Sequence, residues 1–166
     1  HYVNHFSMRP PDLTMELMAE HDIHITQQPN FTYTLEGRYA ANLDGWRLDH
    51  NNPLRSPMDH GITVAISSDI LPIGPMVGLY AAVTRKGMSG QVYGPDEIIT
   101  IEEAIRAYTL TGAYLNFEED VKGSLEPGKF ADMIVLSDDI LTIDPERIMD
   151  IEVEQTYING KLVYKK

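Results

Sequence analysis

Cysteine is absent from the 166 residues, which removes disulfide scaffolds, thiolate zinc ribbons, CxxC redox motifs and cysteine nucleophiles in one step. Basic charge is scarce. Thirteen Lys and Arg stand against 25 Asp and Glu, a formal net charge of −12, so the chain lacks the positive surface that tracks phosphates or docks on an anionic membrane. Neither nucleic acid nor membrane is expected as a partner. No apolar run approaches the roughly 18 residues of a membrane span, and no basic-then-apolar leader opens the chain. Also missing are HxH, HExxH, a carboxylate-rich calcium loop, a GxSxG elbow and the GK[ST] of a phosphate loop.

What is there suffices for a core. Hydrophobic residues make up 43% and charged residues 23%, so folding can bury roughly two-thirds of the unfolded surface, unlike a disordered tail. His1 opens the chain and Tyr2-Val3-Asn4-His5 reads like the inside of an element, which predicts a piece of a longer protein. The expected compartment is the cytoplasm.

Pro10-Pro11 suits the first turn of a helix, and Leu13, Met15, Leu17 and Met18 give its apolar stripe, predicting a helix over 11–21. Ile23 to Gln27 alternates as a strand and stops at Gln28-Pro29. Residues 29–61 show no sustained period beyond a short helix at 54–60, and a long loop of this kind offers its amides and Trp46 as a substrate wall. Ile62 to Ile66 is a β-branched run, the clearest buried strand, and 76–85 is helical. Thr100-Ile101-Glu102-Glu103 is a capping box for a helix over 101–111. After Asp120 the pattern turns to β, with strands at Met133 to Leu136, Thr156 to Ile158 and Leu162 to Tyr164, the last two joined by Asn159-Gly160, a two-residue hairpin signal.

Two strand ends carry metal-competent side chains. His5 closes the first strand and Asp69 follows the Ile62 strand, and in parallel α/β sheets the C-terminal strand ends are where ligands and catalytic groups gather. His21, His50 and His60 lie near helix ends or in the loop, where a solvated imidazole is the plain reading. His24 alternates with Ile23 and Ile25 and can face away from the apolar side.

Taken in order, His5 after its strand, Gln28-Pro29-Asn30-Phe31, Gly61 to Asp69, Glu103 to Thr109, Gly123-Ser124-Leu125-Glu126-Pro127-Gly128-Lys129-Phe130-Ala131-Asp132 and Thr156 to Lys161 resemble the C-terminal portion of metal-dependent amidohydrolases. The likeness runs over nearly the whole chain, toward the branch that includes N-substituted formamide deformylases. It implies an α/β fold: residues 1–118 as about strands 6 to 8 of a (β/α)8 TIM-like barrel, and 119–166 as the C-terminal part of a small β-sandwich. It also implies that His5 and Asp69 are ligands of a divalent metal, zinc by expectation, with further ligands upstream of residue 1. Asp69 would double as the catalytic base. Gln27, Gln28 and Trp46 are the substrate contacts in that reading. Two departures stand out: Ser67-Ser68-Asp69-Ile70 replaces the family's Gly-Ser-Asp-aromatic, and Phe6-Ser7 follows His5 in place of Ala-Gln.

The implied reaction is hydrolysis of a C–N bond in a small amide or N-substituted formamide. Rival readings are a cyclic-amide hydrolase or heterocycle deaminase of the same superfamily, and a non-catalytic interaction domain. The fragment alone is expected to be inactive. Its uncovered strand edges predict association with further copies or with the missing N-terminal part.

Overall fold

The computed structural model describes residues 1–69 and 73–166; Ile70, one of the departures noted above, lies outside them. Three short strands, β1 (Tyr2–Asn4), β2 (His24–Gln27) and β3 (Val64–Ile66), form one parallel sheet in the order β1-β2-β3. Asn4 pairs with Thr26 and Thr26 with Ala65. A common register therefore brings the three C-terminal ends to one rim. Parallel pairing requires crossovers, and α1 (Asp12–Glu20) is the first, starting directly after Pro11 and burying Met15 and Met18.

The second crossover is where sequence and structure part. A loop with one short helix is predicted for 29–61, yet the chain folds into α2 (Asn30–Thr34), α3 (Glu36–Asn42), α4 (Gly45–Asp49) and α5 (Arg55–Asp59). Each spans only five to seven residues, too few for a 3.6-residue period to repeat, and helices that short hold only through tertiary contacts. After β3 come α6 (Pro75–Thr84), α7 (Ile101–Tyr108) and α8 (Leu110–Leu115). Thr100 and Glu103 form the capping box in both directions. The helix predicted over 101–111 breaks at Thr109, whose φ of −117° and ψ of −88° end α7 and begin α8.

Met15 and Met18 of α1, Ile25 of β2, Val64 and Ile66 of β3, Leu79 and Tyr80 of α6, and Ala104 and Ala107 of α7 share one core. All three β3 residues are buried, whereas those of β1 are exposed. The second sheet, β4 (Met133–Leu136), β5 (Val153–Ile158) and β6 (Lys161–Lys165), is antiparallel. Asn159 and Gly160, with φ of 49° and 73°, supply the left-handed turn between β5 and β6. Between β4 and β5 the chain leaves this sheet: a 3-10 turn over 145–150 buries Ile148 in the first core, and Glu146 meets Lys86 at 2.6 Å. The boundary expected at 118 is thus crossed by a segment from its far side. No helix among the described residues is long and apolar enough to cross a membrane.

A buried ionic node ties the short helices to α6. Arg85, fully buried just past α6, donates to the backbone carbonyls of Tyr93, Asn52 and Asn51. Burial pulls its pKa down to about 10, while Glu97 opposes the fall. Glu97, 3% exposed, accepts from the amides of Leu54 and Ser56 and from the Ser56 hydroxyl, and so holds the start of α5. Replacing Glu97 by Gln removes the charge opposite a buried cation and strands at least one of these donors. The expected loss is about 3 kcal/mol of stability in urea titrations; a change under about 0.5 kcal/mol would show that this node is not coupled to folding.

Candidate functional site

The C-terminal rim of the parallel sheet gathers polar side chains from all three strands. Asn4 and His5 come from the end of β1, Gln27 and Gln28 from the end of β2, and Ser67, Ser68 and Asp69 follow β3. His5 Nε2 lies 3.3 Å from Asp69 Oδ2, and each side chain is about one-third exposed, at 36% and 34%, so the pair is open to a ligand. Asp69 has a φ of 62°, a left-handed conformation that Asp tolerates better than most residues and that clusters at functional sites. Phe31, buried in α2, packs its ring 5.6 Å from the His5 ring.

The other imidazole nitrogen settles the chemistry of the first. His5 Nδ1 is 2.6 Å from the Gln28 carbonyl oxygen Oε1, which can only accept, so Nδ1 carries the hydrogen. The neutral imidazole then turns its Nε2 lone pair toward the Asp69 carboxylate, whereas the imidazolium donates Nε2–H to it. Two acceptors at that separation repel, a cost that a proton or a metal cation between them removes. Two donors on one tetrahedral zinc, each about 2.0 to 2.1 Å from the ion, stand roughly 3.3 to 3.4 Å apart. The His5 to Asp69 spacing is that of one edge of such a tetrahedron. Among the described residues no group of three or more His, Cys, Asp or Glu is gathered to hold a metal.

Not every residue singled out in the sequence reaches the rim surface. Gln27 is fully buried, its amide donating to the carbonyls of Phe6 and Pro53, 2.6 and 3.0 Å away. It braces the chain after β1 against the loop before α5. Gln28 is 1% exposed. Trp46, on α4, is half exposed and stacks on His50 with ring centroids 4.4 Å apart. Of the three expected substrate contacts, Trp46 alone keeps an open face. Asn4, Thr26 and Ser67, which bond around Gln28, were not singled out by the sequence. Their signal was readable in principle: each strand of the sheet runs straight into polar residues that a buried strand would otherwise avoid.

Two large hollows among the described residues lie elsewhere. One of about 1080 Å³ runs between α7, α8 and the second sheet, and another of about 570 Å³ opens near Thr63 and Val64, at the opposite end of β3. Neither is lined by His5 or Asp69.

The amidohydrolase family matches residues 2–164. The N-substituted formamide deformylase of Arthrobacter pascens is 35% identical over 157 residues, covering 90% of this chain and 28% of that enzyme. YtcJ of Bacillus subtilis (strain 168), an amidohydrolase by name, is 38% identical over 157 residues, 92% of this chain and 30% of its own. Among solved structures, the zinc complex of atrazine chlorohydrolase TrzN from Arthrobacter aurescens TC1 superposes with a TM-score of 0.64 at 18% identity, over 99% of this chain and 36% of that one. The chain belongs to the amidohydrolase family. It spans less than a third of the length of the two curated relatives.

Behind Asp69, close packing holds the turn in place. Tyr108 of α7 hydrogen-bonds Ser68 and, at 3.3 Å, Asn30, and its burial pushes its pKa up to about 12. That approach depends on Gly78 in α6, where an added Cβ would fall 1.8 Å from the Tyr108 hydroxyl and 2.5 Å from Asn30 Oδ1. Gly78→Ala should cost about 1 to 3 kcal/mol by overpacking. Gly37→Ala, in α3 with nothing within 4 Å of the new methyl, should instead stabilise by roughly 0.5 to 1 kcal/mol. Denaturant midpoints of the two variants should move in opposite directions. Equal shifts would contradict the packing described behind Asp69.

Proposed function

We propose that this chain is the C-terminal part of a (β/α)8-barrel amidohydrolase and of its β-sandwich, and that the whole protein cleaves the C–N bond of a small amide or N-substituted formamide. The observation that carries this is His5 Nε2 facing Asp69 Oδ2 at 3.3 Å on the C-terminal rim of a parallel sheet. Active sites of such barrels sit on that rim. Family membership and the reaction named for the Arthrobacter pascens relative support the substrate class. The TrzN structure is a zinc complex, and the donor set here, one imidazole nitrogen and one carboxylate oxygen, suits zinc.

When bound, a divalent metal supplies Lewis acidity that brings the pKa of water down to roughly 7. His5 and Asp69 would be two of its ligands, with the remaining donors outside residues 1–166. Asp69 has a second task. Its carboxylate takes the proton of the attacking water and returns it to the departing nitrogen, so that an amine leaves rather than an amide anion. His5, its Nδ1 hydrogen held by Gln28, keeps Nε2 aimed into the site. Trp46 offers an aromatic face for the substituent on nitrogen.

In the full-length protein, Asp69→Asn keeps the shape but loses charge and basicity, and kcat should fall by about 100-fold to 10,000-fold or more with an unchanged circular dichroism spectrum. Turnover within a few-fold of wild type would remove Asp69 from the mechanism.

Residues 1–166 produced alone should show no formamide hydrolysis, since two donors do not hold a catalytic metal. The unpaired outer edges of β1 and β3, and a second sheet whose Ile134, Val163 and Tyr164 are about half exposed, should make that chain associate. Light scattering should give a mass well above 18.7 kDa; a stable monomer would contradict the barrel assignment.

A further inference from the structure

We propose that Gln28 is a positioning residue, which selects the nitrogen that His5 offers to the metal; this deepens the reading above and rests on it. Its amide is almost completely buried, at 1% exposure, so substrate cannot touch it. All its polar atoms are used. Nε2 donates one hydrogen to Asn4 Oδ1 at 2.9 Å and the other to Ser67 Oγ at 3.0 Å, leaving Oε1 as the atom that faces His5 Nδ1. The Gln28 backbone amide donates to the side chain of Gln27.

The orientation of this amide is coupled to that of Asn4. Thr26 Oγ1 donates to Asn4 Oδ1 at 2.5 Å, which holds the Asn4 oxygen toward Gln28. If the Gln28 amide turned over while Asn4 kept its orientation, its carbonyl would meet the Asn4 oxygen, acceptor against acceptor, and its NH2 would face His5. The imidazole would then have to present a lone pair at Nδ1 and carry its hydrogen on Nε2, where Asp69 would accept it. That tautomer cannot bind a metal through Nε2. Thr26, Asn4, Gln28 and His5 thus form a relay across β1 and β2, and Ser67 ties it to β3. A carbonyl partner on the far nitrogen of a metal-binding histidine also raises its basicity, and loss of such a partner typically costs about 10-fold to 100-fold in metal affinity.

The test uses the full-length protein and two readouts, zinc affinity by chelator competition and the tautomer of His5 in metal-free protein, read by heteronuclear NMR at about pH 8.5, above the usual histidine range. Gln28→Met, close in size but without an acceptor, should weaken zinc binding by about 10-fold to 100-fold and move the His5 hydrogen from Nδ1 to Nε2. Gln28→Glu, which keeps an acceptor for Nδ1, should bind zinc at least as tightly as Gln28→Met does and restore the Nδ1 hydrogen. A residue needed only for packing would not show this split between Met and Glu. Should Gln28→Met fail to fold, Thr26→Val, which unpins Asn4, takes its place and should shift the same tautomer. The proposal is overturned if wild-type His5 carries its hydrogen on Nε2, or if the folded variant lacking the acceptor, or Thr26→Val in its stead, leaves the Nδ1 hydrogen unchanged. A wild-type protein that binds no zinc would overturn the metal reading alone, because the tautomer still reports on Gln28.

Discussion

The parallel register of three short strands is the constraint from which the site follows. Asn4, Thr26 and Ala65 lie level across β1, β2 and β3, and neighbouring strands sit about 4.8 Å apart. The residues one or two steps further along each chain must therefore crowd together at one rim. His5, Gln28 and Ser67 meet for that reason, although 23 and 39 residues separate Gln28 from the other two along the chain. Slipping one strand by a single residue would turn its side chains to the opposite face and scatter the group. Much of the packing secures this register. β3 is buried along its length, and Met15, Met18, Leu79 and Ala104 fill the space against the sheet.

Burial assigns the polar groups their parts. Gln27 and Gln28 are both hidden, and each spends its amide on a fixed neighbour, Gln27 on two carbonyls and Gln28 on Asn4, Ser67 and His5. His5 and Asp69 stay open to solvent, with Asn4 and Ser67 beside them. In the proposed cation site the buried amides beneath would fix tautomer and direction, and the one-third-exposed imidazole and carboxylate above would supply the donors. Further down, Tyr108 and Asn30 close against Gly78, and Arg85 with Glu97 secures the chain between α4 and α5.

The sequence was most legible where one residue type forces one geometry. Thr100 and Glu103 announce the start of α7, Asn159-Gly160 the hairpin, and Ile62 to Ile66 the buried strand, because capping, left-handed turns and two-sided burial each leave few alternatives. The run from Asn30 to Asp59 was illegible since its helices are too short to display a period and exist by tertiary contact. The break at Thr109 had no local marker either. His5 and Asp69 could be singled out as strand-end residues, but the direction of the Gln28 amide could not. That direction goes with the one Asn4 takes at the end of β1, and only the sheet brings the two side chains together.

We propose that His5 and Asp69 share one divalent cation. The most direct measurement is a crystal structure of the full-length protein grown with zinc, with anomalous scattering recorded on both sides of the zinc absorption edge. The expected result is a single strong peak about 2.0 to 2.2 Å from both His5 Nε2 and Asp69 Oδ2, with the Gln28 carbonyl still on His5 Nδ1. A zinc-bound centre elsewhere in the protein, with His5 and Asp69 joined only by a shared proton, would contradict it.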